Sequence, residues 1–551
     1  MIYTSSYPPL PADRHHHGGV FDFLLSPARI APKANKPALI DALTGKQTTY
    51  QELANASLRL ADGLTRVAKL KRRDTVLIFS PNSALYPVLI FGSQAAGVTL
   101  SLANAGYVPD ELAHALQVSG AVAILAAAEL LDTAAKAAKQ VGLRPDKIFV
   151  LPDAKGQVPK TLPKGMRSWK ELDGKDGFKP VIPTEAEAKK DIAYLPFSSG
   201  TTGKGKGVAL SAYNATTCIQ QTAQTDGLFD RADNVLSCLP LSHIFGLIVM
   251  LHSTIYNGGT LVLLPKFELV PALEAIQKYK CSTALIVPPV ALALAKHPIV
   301  DKYDLSSLRF ILSGAAPLSA SLQEAVASRL KTKVVQGLGM SETTSVATVP
   351  DVSRAFKVGS VGKLLAGMEA RLVDPEGKDV KPGEAGEFWV RGPNIMLGYF
   401  GNEEATKETI TEDGWLKTGD IVERDSEGNY TVVDRSKDLI KYKGFQVAPA
   451  ELEGILVSAP FIADAAVIGI WSDKDATELP RAYIVPSPDH AKSKTLEKDV
   501  AKWVEERVAA HKKLRGGVVV IEAIPKSPSG KILKKDLRVL AAREEKTEAK
   551  L

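Results

Sequence analysis

Short runs rich in valine, isoleucine and leucine alternate with helical segments from Asp74 onward, and this alternation constrains the fold more than any other feature. Each run is bounded by glycine, proline or serine, as buried strands usually are. One helix is predicted to begin after Ser319 and to carry Leu322, Val326 and Leu330 on one face. Such alternation predicts α/β layers with largely parallel sheets. The runs are DTVLIF, VTLSL, AYLPF, NVLSCL, GTLVLL, STALIV and LRFIL.

The pattern changes twice further along the chain. After about Gly362, turns rich in glycine, proline and aspartate indicate a small antiparallel β region. Beyond Asp434 the pattern predicts strand LIKY, helix PAELEGILVSA with Pro449 in its first turn, strands DAAVIGIW and RAYIVP, and helix TLEKDVAKWVEERVAAH. These elements form an α+β unit of about 115 residues, large enough to fold alone. We therefore predict a large N-terminal domain, residues 1–434, and a small C-terminal domain, residues 435–551.

Composition excludes several classes of protein. The 551 residues are 45% hydrophobic and 23% charged, which is typical of a globular chain with more than one domain. A net charge of +7 is a thin basic surplus, so we expect no nucleic-acid partner. The three cysteines, Cys218, Cys238 and Cys281, lie far apart, which argues against disulfides and a cysteine zinc site. No apolar run is long enough for a transmembrane segment.

The two ends of the chain carry different signals. The N-terminus lacks the apolar core of a secretory signal, and its run His15–His17 is interpreted as part of a solvated arm. The chain ends in Ala549-Lys550-Leu551, a close variant of the Ser-Lys-Leu peroxisomal address, after a charged stretch. We therefore expect a peroxisomal import receptor as a partner and a peroxisomal location; without this address the location would be cytoplasmic.

The first chemical motif is a glycine-rich loop, SSGTTGKGKG from Ser198 to Gly207, that follows the strand AYLPF. Small residues let the backbone approach an anion, hydroxyl and N–H groups donate to it, and lysines neutralise it. The pattern therefore predicts a polyphosphate-binding loop. A Walker A loop is the weaker interpretation, because Gly207 stands where serine or threonine would hold magnesium.

The same loop resembles the signature loop of the adenylate-forming superfamily, which includes acyl-CoA synthetases, beetle luciferases and peptide-synthetase adenylation domains. Lys204-Gly205 replaces the Leu-Pro pair that the family usually has there. The segments KYKGFQVAPAELE and RGPNIMLGYFGNEEATKETI resemble the branch of 4-coumarate:CoA ligase and firefly luciferase. Five further motifs follow in the family's order: Gln336–Glu342, Thr418–Asp420, Asp434–Asp438, Lys441–Val447 and Pro525–Lys531.

The resemblance implies two half-reactions. A carboxylate attacks the α-phosphate of ATP and expels diphosphate, and the CoA thiol then attacks the acyl-adenylate. The first step needs positioning and charge neutralisation rather than a protein nucleophile. Lys531 would bridge the carboxylate and the α-phosphate, and His243 would lie near the acyl carboxylate. Lys441 and Gln446 would face the site in a second orientation of a mobile small domain that pivots near Lys437.

The resemblance also implies which residues bind nucleotide and metal. Glu342 would hold Mg²⁺, and Asp420, supported by Arg435, would accept both ribose hydroxyls. Leu338 departs from the family, which usually places an aromatic residue there to stack on adenine. The residues assigned to ATP or AMP are Ser198, Ser199, Gly200, Thr201, Thr202, Gly203, Lys206, Gln336, Gly337, Leu338, Ser341, Asp420, Arg435 and Lys437.

The acid and the CoA path are less sharply defined. His243, Phe245, Ala315 and Gly337 would line the acyl slot, and Phe245 stands where coumarate ligases often carry a tyrosine. Without that hydroxyl, the slot is expected to select phenolic acids less strongly. An aromatic or phenylpropanoid-like acid is the first expectation, and a medium- or long-chain fatty acid is the second. Lys443 and Gly444 would shape the CoA path.

Three other functions share part of this pattern. A luciferase-like adenylating oxygenase would have the same fold and motifs. An adenylation enzyme that loads a carrier protein would also share the fold and motifs. However, no GGxS-type carrier attachment site follows Lys531. A non-catalytic binding protein would not need Lys206, Glu342, Asp420 and Lys531 together.

Overall fold

The computed structural model describes most of the chain. Left undescribed are residues 11–17, 154–155, 199–204, 226, 229–231, 354–355, 444, 473–474, 476, 492, 528–529 and 549–551, and the side chains of 545–548. The predictions for Ser199, Gly200, Thr201, Thr202, Gly203, Gly444, the histidine run and the C-terminal tripeptide therefore lie outside the described residues.

An eight-stranded sheet of the described chain forms one half of the large domain. Its strands are parallel except where Val208–Ser211 pairs with its two neighbours. In spatial order they are Gly398–Tyr399, Val208–Ser211, Ile192–Pro196, Thr99–Ala103, Thr75–Phe79, Ala123–Ala127, Ile148–Leu151 and Arg167–Ser168. The helices Tyr50–Arg66, Tyr86–Ala95, Pro109–Ser119 and Leu131–Gln140 lie between strands in the chain.

A seven-stranded sheet of the described chain forms the other half. It is parallel except for the antiparallel pair at its edge, Pro37–Asp41 with Gln47–Thr49. In spatial order its strands are Lys333–Gln336, Phe310–Ser313, Thr283–Ile286, Asn234–Ser237, Thr260–Leu263, Pro37–Asp41 and Gln47–Thr49. The helices Leu269–Tyr279, Pro288–Lys296 and Ala320–Leu330 separate successive strands. Other helices of the large domain are Val20–Leu25, Pro27–Ile30, Glu185–Lys190, Ala212–Ala223, Ser253–Tyr256, Glu403–Thr409 and the π-helix Phe245–His252.

Local sequence explains these elements. The Ser319 hydroxyl accepts a hydrogen bond from the Leu322 amide and caps the helix Ala320–Leu330, and Val326 on its inner face is fully buried. The two largely parallel sheets, with helices between their strands, confirm the predicted α/β layers.

Within the described residues, the predicted antiparallel region is a five-stranded sheet, and it includes a strand that the sequence did not reveal. Tyr3–Thr4 pairs with Glu369–Val373, and the N-terminal ammonium forms an ion pair with Asp379. A strand of two residues has too few positions to show an alternating pattern, which is why it was missed. The other strands are Gly386–Arg391, Leu416–Arg424 and Tyr430–Arg435, and Thr348–Val349 pairs separately with Lys363–Leu364.

The small domain contains its own hydrophobic clusters, separate from those of the large domain. Its predicted last helix ends earlier than expected, at Glu505, because the Arg507 amide bonds to the Val504 carbonyl in a tight closing turn. The boundary at residue 434 remains a prediction. The elements are the hairpin Ile440–Tyr442 with Phe445–Val447, helix Pro449–Ser458, strands Ile462–Ser472, Thr477–Pro486 and Val518–Val520, and helices Leu496–Glu505 and Lys534–Glu548. Among the described helices, none has the length and apolar character needed to cross a bilayer.

Candidate active site

A cleft of about 410 Å³ lies where the large domain, residues 435–438 and one loop of the small domain meet. The carboxyl ends of two parallel strands, Phe310–Ser313 and Lys333–Gln336, open toward it, which is the usual position of a ligand site in an α/β sheet. The predicted residues that line it are Ser198, Lys206, His243, Phe245, Ala315, Gly337, Leu338, Ser341, Glu342, Arg435, Lys437 and Lys531.

One wall of the cleft depends on a close approach to glycine backbone. A Cβ built on Gly314 would lie 3.0 Å from Cζ of Phe245, so the ring of Phe245 packs directly against the Gly314 backbone. The next residue, Ala315, has a φ of +66°, which is uncommon for a residue with a side chain. Strain of this kind is typically found at functional sites.

The glycine-rich loop is closed at its base by backbone hydrogen bonds. The Ser198 amide donates to the Lys206 carbonyl over 2.9 Å, and the Lys206 amide donates to the Ser198 hydroxyl over 3.3 Å. His114, from the helix Pro109–Ser119, lies with its Nε2 2.9 Å from the Gly205 carbonyl. These contacts hold the backbone of Lys206 beside Ser198, and Lys206 lines the cleft.

Tyr399 connects two of the predicted site residues, and sequence reasoning missed it. Its hydroxyl donates to Oε1 of Glu342 over 2.7 Å, and Nζ of Lys206 lies 4.3 Å from the centre of its ring. Burial raises the pKa of Tyr399, and the Glu342 charge raises it further. The phenol therefore keeps its proton and remains a hydrogen-bond donor. Tyr399 reaches this place because its short strand pairs with Val208, two residues after Lys206.

Because Glu342 is the predicted Mg²⁺ ligand, Tyr399→Phe is expected to lower the rate of adenylate formation about 10- to 100-fold and to raise the Mg²⁺ concentration that gives the half-maximal rate. The substitution keeps the ring beside Lys206 but removes a hydrogen bond to a charged group, which contributes about 1.5–3 kcal/mol. The measurement is ATP–diphosphate exchange at a series of Mg²⁺ concentrations. Tyr50→Phe is the control, because it also removes a buried hydrogen bond, to the Gly259 carbonyl, but lies outside the cleft lining. An unchanged Mg²⁺ dependence in Tyr399→Phe would contradict this role.

Asp420 and Arg435 face each other across two antiparallel strands. Nε of Arg435 donates to Oδ1 of Asp420 over 3.0 Å, and the Asp420 carboxylate raises the pKa of Arg435. The cleft is lined by Arg435 and by Thr418 and Gly419, while the buried Asp420 lies behind them. The predicted ribose contact of Asp420 stays a prediction.

His243 and Lys531 come from different domains and enter the same cleft. Burial and then the Lys531 charge lower the pKa of His243 to about 4, so the imidazole is neutral at pH 7. Its Nδ1 lies 3.3 Å from the Phe245 amide, which donates to it, so the ring proton lies on Nε2. Burial, followed by the positive charge of Arg435, lowers the pKa of Lys531 to about 8. The negative charges of Asp420, Asp438 and Glu342 act in the opposite direction.

Other predicted residues lie elsewhere. Lys441, Lys443 and Gln446 belong to the small-domain hairpin, outside the cleft lining; the Lys441 amide donates to Glu478, and the Lys443 ammonium lies 3.3 Å from Asp475.

Gln336 also differs from the other predicted nucleotide-binding residues. Its buried amide group exchanges two hydrogen bonds of 2.9 Å with the Leu318 backbone and so supports the loop after Ser313. Its predicted nucleotide contact stays a prediction.

Several residues of the cleft carried no readable signal in the sequence. Tyr399, Glu408 and Thr409 fall within a segment that was singled out only for its resemblance, and Glu387 and Lys417 lie in strands of the β region. Their polar character alone does not distinguish them from exposed residues of the same types. They reach the cleft through strand pairing between distant segments.

The comparisons with known proteins agree with this geometry. Residues 28–400 match the model of the AMP-binding enzyme family, and residues 451–531 match that of the AMP-binding enzyme C-terminal domain. The chain therefore belongs to the AMP-binding enzyme family, and the predicted membership of the adenylate-forming superfamily is confirmed.

Its relatives and structural neighbours include acid:CoA ligases. A probable 4-coumarate:CoA ligase of Dictyostelium discoideum is 40% identical over 92% of this chain and 93% of its own length. A peroxisomal OPC-8:0-CoA ligase of Arabidopsis thaliana is 36% identical over 99% of this chain and 97% of its own. The crystal structure of an anthranilate CoA ligase in complex with anthranoyl-AMP superposes with a TM-score of 0.86 and 26% identity, covering 98% of this chain and 99% of that one.

Proposed function

We propose that this protein is an ATP-dependent acid:CoA ligase that forms an acyl-adenylate and then an acyl-CoA thioester. The observation that carries this conclusion is the meeting of Lys531 and His243, from two domains, in the cleft that Lys206 and Glu342 also line. The relatives are CoA ligases, which does not favour a luciferase-like oxygenase or an enzyme that loads a carrier protein.

In the first half-reaction the cleft residues bind and orient the acid and ATP and neutralise their negative charge. The Lys531 ammonium contacts the substrate carboxylate and the α-phosphate, and Lys206 contacts the departing phosphates. The neutral His243 donates from Nε2 to a carboxylate oxygen and holds it in line with the phosphorus. Preorganised donors of this kind stabilise the charge that develops in the transition state.

Magnesium fits the same site. Mg²⁺ is usually held by one or two carboxylates, substrate phosphates and water. Among the described residues no group of three or more histidine, cysteine, aspartate or glutamate side chains forms a metal cage, so a Mg²⁺ ion here would depend on phosphate oxygens. Glu342 would hold it, with one carboxylate oxygen fixed by Tyr399. When bound, it would neutralise phosphate charge.

The acyl side of the cleft favours an apolar monocarboxylic acid. The apolar residues of the cleft lining include Ile244, Phe245, Leu312, Val346 and Val349. We assign them to the acyl side, where Phe245 is predicted to lie. The cationic residues of the lining are Lys206, Lys417, Arg435, Lys437 and Lys531, in the glycine-rich loop, the β region, the hinge and the small domain. An aromatic or phenylpropanoid-like acid is our first candidate, in line with the relatives that are named for 4-coumarate and anthranilate. A fatty acid is the second.

The test is a panel of carboxylic acids, assayed for release of AMP and for acyl-CoA. We expect aromatic propenoic or benzoic acids to give both products in equal amounts, dependent on ATP, CoA and Mg²⁺. Preference for straight-chain acids would move the assignment to fatty acids. AMP release from adenylate without any CoA dependence would contradict the ligase.

We also propose a peroxisomal location, from the C-terminal Ala549-Lys550-Leu551 and from the relative named as peroxisomal. Deletion of 549–551 is expected to leave ligase activity unchanged, because the tripeptide follows the helix that ends at Glu548, beyond the last motif. A fluorescent fusion should move from peroxisomes to the cytosol, and adding Ser-Lys-Leu to the shortened chain should reverse this. A fusion that stays in peroxisomes after the deletion would exclude this address.

A further inference from the structure

The helix Pro288–Lys296 of the large domain contacts the small domain at both of its ends. At its first turn, a Cβ built on Gly530 would lie 3.0 Å from Val287 and 3.2 Å from Pro289, so the loop that carries Lys531 packs closely there. At its last residue, the ammonium of Lys296 donates to two small-domain carbonyls. With a rise of about 1.5 Å per residue, the two contacts lie at opposite ends of a helix about 13 Å long.

Lys296 contacts two backbone carbonyls of the small domain, one of which lies at a helix end. Nζ of Lys296 lies 2.8 Å from the carbonyl oxygen of Val457 and 3.0 Å from that of Ile462. Val457 is in the last turn of the helix Pro449–Ser458, where carbonyls lack partners within the helix and a cation is favoured by the helix dipole. One charged group of the large domain therefore caps a helix of the small domain.

A third close contact joins the small-domain helix Pro449–Ser458 to the start of the large-domain helix Ala320–Leu330. A Cβ built on Gly454, in the small-domain helix, would lie 3.1 Å from Cβ of Ser319, the N-cap of Ala320–Leu330. Together with the contacts of Gly530 and Lys296, it places three separate points of the small domain against the large one. Three points fix a rotation, and all three belong to the arrangement in which Lys531 lies in the cleft.

We propose that Lys296 is a positioning residue that stabilises the small domain in the orientation for adenylate formation and is released for thioester formation. The inference rests on the proposed two-step function. In any orientation that brings the hairpin of Lys441 and Gln446 to the cleft, the small domain must turn, and the carbonyls of Val457 and Ile462 then leave Lys296. The charged contact therefore favours one half-reaction only.

The test compares the two half-reactions in Lys296→Met, which keeps the aliphatic stem and removes the ammonium. We expect ATP–diphosphate exchange to fall about three- to tenfold, the range for charge-assisted bonds that are partly exposed. Thioester formation from supplied acyl-adenylate and CoA should be unchanged or faster. Lys296→Arg should restore exchange, because it still donates to both carbonyls. Lys302→Met, in the 3-10 turn that follows, is the matched control and should leave both rates unchanged.

Hydrogen–deuterium exchange gives a readout that does not depend on the acid. In Lys296→Met we expect faster exchange over Pro449–Ser458 with ATP present, and wild-type exchange within the core strands of the large domain. An equal fall in both half-reactions, or no change in either, would overturn the proposal. If the wild-type protein forms no adenylate with any acid, the proposed function fails instead. The role of Lys296 is then judged by hydrogen–deuterium exchange alone, and an unchanged hydrogen–deuterium exchange in Lys296→Met would exclude that role.

Discussion

Lys531→Ala is expected to slow adenylate formation by about 10²–10³ and to leave thioester formation from supplied acyl-adenylate close to the wild-type rate. The expected size is that of losing one preorganised group that stabilises transition-state charge. The specificity for one half-reaction follows from the structure, since Lys531 lies in the cleft while the hairpin with Lys441 and Gln446 lies outside its lining.

Single-turnover kinetics of each half-reaction would measure this separation. Lys535→Ala is a suitable control, because Lys535 is an exposed lysine in the helix that begins at Lys534. It should leave both steps unchanged. Equal losses in the two half-reactions of Lys531→Ala would contradict the division of labour between Lys531 and the hairpin of Lys441 and Gln446.

The lowered pKa of Lys531 adds a pH dependence to the same experiment. Its folded-state pKa of about 8 means that the ammonium is present below about pH 8 and lost above it. Since kcat/KM reports ionisations of the free enzyme, kcat/KM for ATP in adenylate formation should fall as the pH rises through about 8. This alkaline fall should be absent in Lys531→Ala.

Lys437→Pro is expected to slow thioester formation about a hundredfold while it changes adenylate formation much less. Proline fixes φ at about −65° and removes the backbone N–H, so it opposes the change of φ that a pivot needs; a hundredfold loss of rate corresponds to about 2.7 kcal/mol. In the described chain the amides of Ser436, Asp438 and Leu439 donate to backbone carbonyls, whereas that of Lys437 is not used in this way. Proline therefore removes no backbone bond from the present orientation and restricts the movement away from it.

The side chain of Lys437 lines the cleft, so its loss must be separated from the loss of backbone freedom. Lys437→Ala removes the side chain and keeps φ free. We expect it to affect adenylate formation as much as Lys437→Pro does and to leave thioester formation nearly intact. If Lys437→Pro supports both steps at the wild-type rate, the small domain does not pivot at this residue.

The sequence by itself determined the class of fold and the enzyme family. Buried strands and amphipathic helices have local patterns, because burial on one or both faces dictates the spacing of apolar residues. The glycine-rich loop is also readable locally, since a backbone that approaches phosphate must be built of small residues. The family resemblance then predicted His243, Glu342 and Lys531 for one active site, and the structure brings all three to one cleft.

Only the tertiary structure decided how distant segments meet. Tyr399 reaches Glu342 because its strand of two residues pairs beside Val208, and the sequence spacing carries no record of that pairing. Lys296 had no motif around it, yet it caps carbonyls of another domain.

Gln336 shows the same limit. Its motif predicts a nucleotide contact, and only the structure shows that its amide group pairs with Leu318, because a buried amide needs partners. Local patterns record burial and backbone conformation, whereas the choice of a polar partner depends on the packing of whole sheets and domains.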